Sequence, residues 1–156
     1  MSYSKLLANL VKEVLEEEEW GFDFDEEKGY FIPYKLNLNS KLGSCSMFID
    51  IREEAVICYS NISVKAPDEK SKMAVMEYLT RANFGLRNGN FELDLDDGTM
   101  RYKCYLECGQ GVPDKIAVGR LLWSAGIWER YGDGLLAVLL GQKTPLDAIN
   151  DAESSN

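Results

Sequence analysis

Glu92, Asp94 and Asp96 recur at alternate positions, which places their carboxylates on one face of an extended strand. Carboxylates grouped in this way can serve acid–base or glycosidic chemistry, in which one is held protonated while its neighbour stays ionised. The following residues offer a plainer role. Asp97-Gly98 is a strong hairpin signal. A two-residue turn there sets Asp94 against Arg101 and Glu92 against Lys103, two cross-strand ion pairs that specify a register. On the reverse face Leu95 then meets Met100, Leu93 meets Tyr102 and Phe91 meets Cys104. The run Asp94-Leu95-Asp96-Asp97-Gly98 lacks the downstream glutamate of a calcium loop. Gly109-Gln110-Gly111 lacks the spacing of a dinucleotide fingerprint and follows a strand instead of opening a βαβ unit, so it reads as a loop.

Other reactive groups are sparse. Histidine is absent, which removes the commonest general base and metal ligand and rules out Ser-His and Cys-His pairs within the chain. The cysteines are Cys45, Cys58, Cys104 and Cys108. Cys104 and Cys108 fall on one face of one strand, about 13 Å apart, too far for a disulfide or a shared zinc. They read as free thiols in a reducing compartment. No cofactor or metal site is expected, and no enzymatic activity.

The elements that position these residues are legible from periodicity. Tyr3, Leu6, Leu7, Leu10, Val11, Val14 and Leu15 mark one stripe of a helix over residues 2–19. Its Glu16–Glu19 run, unfavourable at a helix C-terminus, is either a solvated end or an acidic contact for a basic partner. A strand follows over 31–39, with Ile32, Tyr34, Leu36 and Leu38 on one face and Phe31 on the other, and Pro33 either makes it an edge or lies near its start. Strands over 44–52 and 55–64 join through Glu53-Glu54, which sets Ile51, Ile49, Met47 and Cys45 opposite Val56, Cys58, Ser60 and Ile62. The other face of this hairpin is less polar than a solvated face should be. Phe31, Phe48, Ile57 and Tyr59 there form a candidate partner-binding surface, unless a helix covers them.

Pro67 and Asp68 open a second helix. Met73, Met76, Leu79 and Ala82 carry its period, widened by Val75 and Tyr78, and the Met-rich stripe suits a core or a dimer seam. Asn83-Phe84-Gly85 and Arg87-Asn88-Gly89-Asn90 turn the chain into the hairpin described above. A long helical region then runs from Pro113 to Leu140, capped by Asp114, stopped by Gly141 and bent at Gly132 and Gly134. Between it and the sheet, Tyr102, Trp123 and Trp128 could line an apolar ligand pocket, the alternative to a protein-binding role.

The order α-β-β-β-α-β-β-α predicts one α+β domain over residues 1–150, an antiparallel sheet of about five strands flanked by helices, with a short turn of helix from Leu146 to Ile149 and a disordered tail over 151–156. A net charge of -9 argues against nucleic acid and against an anionic membrane surface. The longest wholly apolar run, Leu135–Leu140, is too short to span a bilayer, and the chain reads as soluble and cytoplasmic.

The segment Asn83–Lys103, NFGLRNGNFELDLDDG-x-x-RYK, resembles the YbjN-type family, labelled bacterial sensory transduction regulators. Tyr131, the apolar run Leu135–Leu140, Gly141 and Lys143-Thr144-Pro145-Leu146-Asp147-Ala148-Ile149 resemble the family's close. The family often has a proline near Gly134, which this chain lacks. The resemblance implies a fold like that of type III secretion chaperones, assembly as a homodimer, and no enzyme activity. Together these readings point to a regulatory or chaperone-like interaction module that binds itself and an unidentified protein partner.

Overall fold

A computed structural model describes residues 2–154. Ser4 caps helix α1 (Lys5–Glu17), its hydroxyl accepting from the Leu7 amide at 3.2 Å. Leu7, Val11, Val14 and Leu15 form the buried stripe. The helix ends where Glu19 adopts φ +57°, and the Trp20 amide donates to the Leu15 carbonyl at 2.9 Å. Glu17 and Glu18 of the acidic run are engaged at home: Lys115, which also bridges Glu13 at 2.7 Å, reaches Glu17 at 2.5 Å, and the Trp123 indole donates to Glu18 at 3.0 Å.

The sheet has seven strands, against about five expected: β1 (Phe22–Asp25), β2 (Tyr30–Pro33), β3 (Leu36–Asn37), β4 (Ser44–Ile51), β5 (Ala55–Lys65), β6 (Asn90–Leu93) and β7 (Thr99–Glu107). They lie in the order β1-β2-β4-β5-β7-β6, with β3 beside β4, and every pairing is antiparallel. The β4–β5 hairpin has the expected register, Ile51 opposite Val56 and Met47 opposite Ser60, closed through Glu53-Glu54. The strand expected over 31–39 is instead two pieces. Phe31 lies opposite Ile49, whereas Leu36 lies opposite Cys45, so one extra residue is accommodated between β2 and β3 along β4. Such a bulge reverses the parity of everything before it. Phe31 is therefore in the core at 0% exposure, not on the outer face, and Ile32 points outward at 43%.

The β6–β7 register is also two residues from expectation: Leu93 faces Met100, Phe91 faces Tyr102 and Glu92 faces Arg101. The connecting loop is longer than two residues because its own carboxylates close it. Asp94 accepts from the Asp96 amide at 2.9 Å, and Asp97 accepts from the Thr99 amide at 2.8 Å and from Lys65. Gly98, at φ +75°, packs so closely that a Cβ there would lie 2.1 Å from the Ala66 carbonyl oxygen. A slip of two keeps every side chain on its expected face.

Helix α2 (Glu69–Gly85) begins with a capping box between Asp68 and Ser71. Its buried face is Val75, Tyr78, Leu79 and Ala82, while Met73 points away from the core. The long C-terminal region divides into α3 (Lys115–Leu122), a 3-10 turn (Trp123–Gly126) and α4 (Ile127–Leu139). The break thus comes at the small residues Ser124-Ala125-Gly126, not at Gly132 and Gly134, which α4 passes through unbroken. Those glycines admit neighbours: a Cβ on Gly132 would lie 2.5 Å from a Leu42 methyl, and one on Gly134 would lie 2.5 Å from the Tyr78 hydroxyl. Asp133 of α4 accepts from the Ser40 hydroxyl and the Lys41 amide, both at 2.7 Å, holding the β3–β4 loop to the helix. The last helix, α5 (Pro145–Ser154), overturns the disordered tail expected from residue 151 as far as Ser154; residues 155 and 156 lie outside the described part.

Among the described residues the buried apolar side chains from Leu7 to Ile149, Ala55 excepted, belong to one core between the inward face of the sheet and the helices. The result is an α+β fold with two layers.

Candidate interaction face

Because the helices share one side, no helix among the described residues covers the outward face of the sheet. Strict alternation sets its composition: buried Met47, Ile49, Val56 and Cys58 point to the helices, and the residues between them point out. Phe48 lies opposite Tyr59, and Tyr59 opposite Lys103. One step along the strands, Tyr30 lies opposite Asp50, Asp50 opposite Ile57 and Ile57 opposite Tyr105.

Three rings run in file across β2, β4 and β5: Tyr30 and Phe48 have centroids 4.8 Å apart, and Phe48 and Tyr59 6.2 Å. The Arg101 guanidinium covers the Tyr59 ring at 4.6 Å. All three rings are half-buried by one another and by strand neighbours, and none belongs to the core. Exposed Ile32 and Tyr105 and half-buried Ile57 extend the apolar area on either side.

Beyond Tyr59 the face becomes charged. Glu92 accepts from Arg101 at 2.6 Å and from Lys103 at 2.8 Å. Partial burial pushes Glu92 up, but hydrogen bonds from Lys103, Arg101 and Asn90 prevail and hold it below the ordinary carboxylate range. That is the opposite of what a general acid needs. Asp94 does not meet Arg101, because it closes the loop instead. Among the described residues, no three Asp, Glu, Cys or His side chains are placed to share a metal ion.

Of the surface residues expected from sequence, Phe48, Ile57 and Tyr59 share this face and Phe31 does not; Tyr30 takes its place. The signal for Tyr30 was present in the alternation Tyr30-x-Ile32, but it is readable only once the bulge after Pro33 is known. The residues expected to line a ligand pocket do not converge. Phe91 fills the space between Tyr102 and Trp128, with centroids 5.0 Å and 4.9 Å away. Trp128 is buried with its indole donating to Ser60 at 3.1 Å, and Tyr102 is buried with its hydroxyl donating to the Asn88 carbonyl. Trp123 lies apart, 49% exposed and edge-on to Trp20 at 4.8 Å.

A family model named YbjN and described as "Putative bacterial sensory transduction regulator" matches residues 7–126. Among solved structures, one similar to this chain is the "Crystal structure of YbjN, a putative transcription regulator from E. coli", with a TM-score of 0.51 and 11% identity over 90% of this chain and 94% of that one. At that identity the likeness is one of fold. No curated protein matches the sequence.

Proposed function

The chain belongs to the YbjN family, and from that membership we propose that it is a non-enzymatic, regulatory or chaperone-like interaction module, a cytoplasmic homodimer whose helix-free sheet face binds a protein partner. The observation that carries this reading is the ring file Tyr30-Phe48-Tyr59 on a face that no helix among the described residues covers. A solvated antiparallel face is ordinarily polar, and a contiguous apolar patch with a charged rim is the usual anatomy of an interface. The family's description as a regulator agrees with this reading. One helical layer on one antiparallel sheet also suits the type III secretion chaperone-like class. The partner is taken to be protein, since a net charge of -9 disfavours nucleic acid and anionic lipid. No helix among the described residues is long and apolar enough to cross a membrane.

A pull-down from native lysate with wild type beside Phe48→Asp/Tyr59→Asp tests this. The double variant must first give the wild-type circular dichroism spectrum. A stoichiometric protein held by wild type and released by the variant supports the reading. Equal capture by both would remove this face from it.

A further inference from the structure

Helix α2 carries large apolar side chains on two opposite sides, the outer set interleaved with polar and charged residues. Val75, Tyr78, Leu79 and Ala82 turn inward. At about 100° per residue, Met73, Thr80 and Phe84 fall on the reverse side, with Met76 on one flank and Glu77 and Arg81 on the other. Phe84 is 97% exposed and Met73 62%, so the chain leaves the ring almost bare and covers Met73 only in part. Beside it lies an open groove of about 650 Å³ lined by Met73, Met76, Thr80, Arg81 and Pro145, among others. The bulky exposed ring is at one end of the stripe, and the groove is toward the other.

We infer that this stripe is the seam of the homodimer, with α2 of a second copy packed against it antiparallel. This rests on the homodimer reading above and names its surface. An antiparallel two-fold has one register that centres the stripe on itself, with Met73 opposite Phe84 of the second copy. In that register the exposed ring of each copy enters the Met73 end of the other's groove, and the short Thr80 side chains let the helices approach at the middle. The same two-fold brings like flanks together. Arg81 comes level, to within about one residue rise of 1.5 Å, with Glu77 of the second copy, and Glu77 with Arg81 of the second copy. Within one copy Glu77 and Arg81 already pair at 2.9 Å, so the dimer joins two such pairs into a four-membered, charge-balanced cluster across the seam. A parallel or shifted pairing loses both the ring-in-groove fit and this complementarity, and so the stripe is suited to its own copy.

Sedimentation equilibrium on the full chain tests the seam, using wild type, Phe84→Asp, Glu77→Arg, Arg81→Glu and the double exchange Glu77→Arg/Arg81→Glu. All these side chains are exposed, and circular dichroism checks that each variant folds. Wild type is expected to be a dimer. Phe84→Asp should weaken it by about 100-fold, each single charge reversal should weaken it by about tenfold or more, and the double exchange should recover most of that loss. A wild-type dimer unmoved by Phe84→Asp and the single reversals would overturn the α2 seam while leaving the homodimer reading intact. Loss without recovery in the double exchange would overturn the antiparallel register. A wild-type monomer at about 100 µM, where even weak interfaces associate, would overturn the homodimer reading and the seam with it.

Discussion

The carboxamide of Asn83 occupies the place that another strand would take beside β6. Its Oδ1 accepts from the Phe91 amide at 2.7 Å and its Nδ2 donates to the Phe91 carbonyl at 3.0 Å. An edge strand left open invites pairing with other chains, and here one side chain closes it. Asn83→Ala is expected to cost about 2 kcal/mol, because both Phe91 groups lose their partner in a half-buried site; urea unfolding measures it, and an unchanged midpoint would deny Asn83 this role. Glu92 gives a pH signature. Its pKa is lowered in the folded state, so its stabilising contribution is complete above the unfolded value of about 4.3 and is lost as pH falls through the lower folded value. The stability difference between wild type and Glu92→Gln should therefore be constant near neutrality and shrink toward zero as the solution is acidified below about pH 4. The thiols make a third prediction at this scale. Burial pushes Cys45 up to about 11 and Cys58 up to about 12, and also raises Cys104, whereas half-buried Cys108 is better exposed to reagent. In native protein at pH 8 a thiol reagent should modify Cys108 first, with the other three reacting only as the chain unfolds; rapid modification of Cys58 or Cys104 would contradict the buried assignment.

At the scale of elements, Gly134 shows packing overriding propensity. Alanine in place of a helix-interior glycine ordinarily stabilises by about 0.5–1 kcal/mol. Here the added methyl would meet the Tyr78 hydroxyl, which donates to the Tyr131 carbonyl at 2.7 Å inside the core. Gly134→Ala is expected to destabilise by about 1–2 kcal/mol in thermal or urea unfolding, and a stabilised variant would show that the α2–α4 contact is looser than described. The same contest between local rule and tertiary context explains what could be read in advance. The β4–β5 register was legible because hydrophobic alternation and a two-residue turn agree. The parity of β2 was not, because the bulge after Pro33 breaks the alternation into short pieces of opposite parity. The β6–β7 faces were legible, yet their register was not, since Asp94 and Asp97 spend their carboxylates on closing the loop. The helix break at Ser124 was hidden because Gly132 and Gly134 offered the stronger propensity signal, while their actual use depends on Leu42 and Tyr78, distant in sequence.

Over the whole molecule, the division into one helical layer and one bare sheet face determines what surface is on offer. Of the candidate residues, Phe48, Ile57 and Tyr59 could be found from sequence because they share a hairpin whose register is fixed locally. Tyr30 depends on a long-range pairing with β4. The molecule thus offers two separate surfaces, α2 for a second copy and the ring file for a protein partner. Site-specific photo-crosslinking in living cells probes the ring file, with p-benzoylphenylalanine in place of Phe48 and, as control, in place of the exposed Asn9 on the helical side. An adduct with a different protein is expected from position 48, and none of that mass from position 9. Equal adducts from both positions, or none from position 48, would contradict a partner-binding role for the ring file.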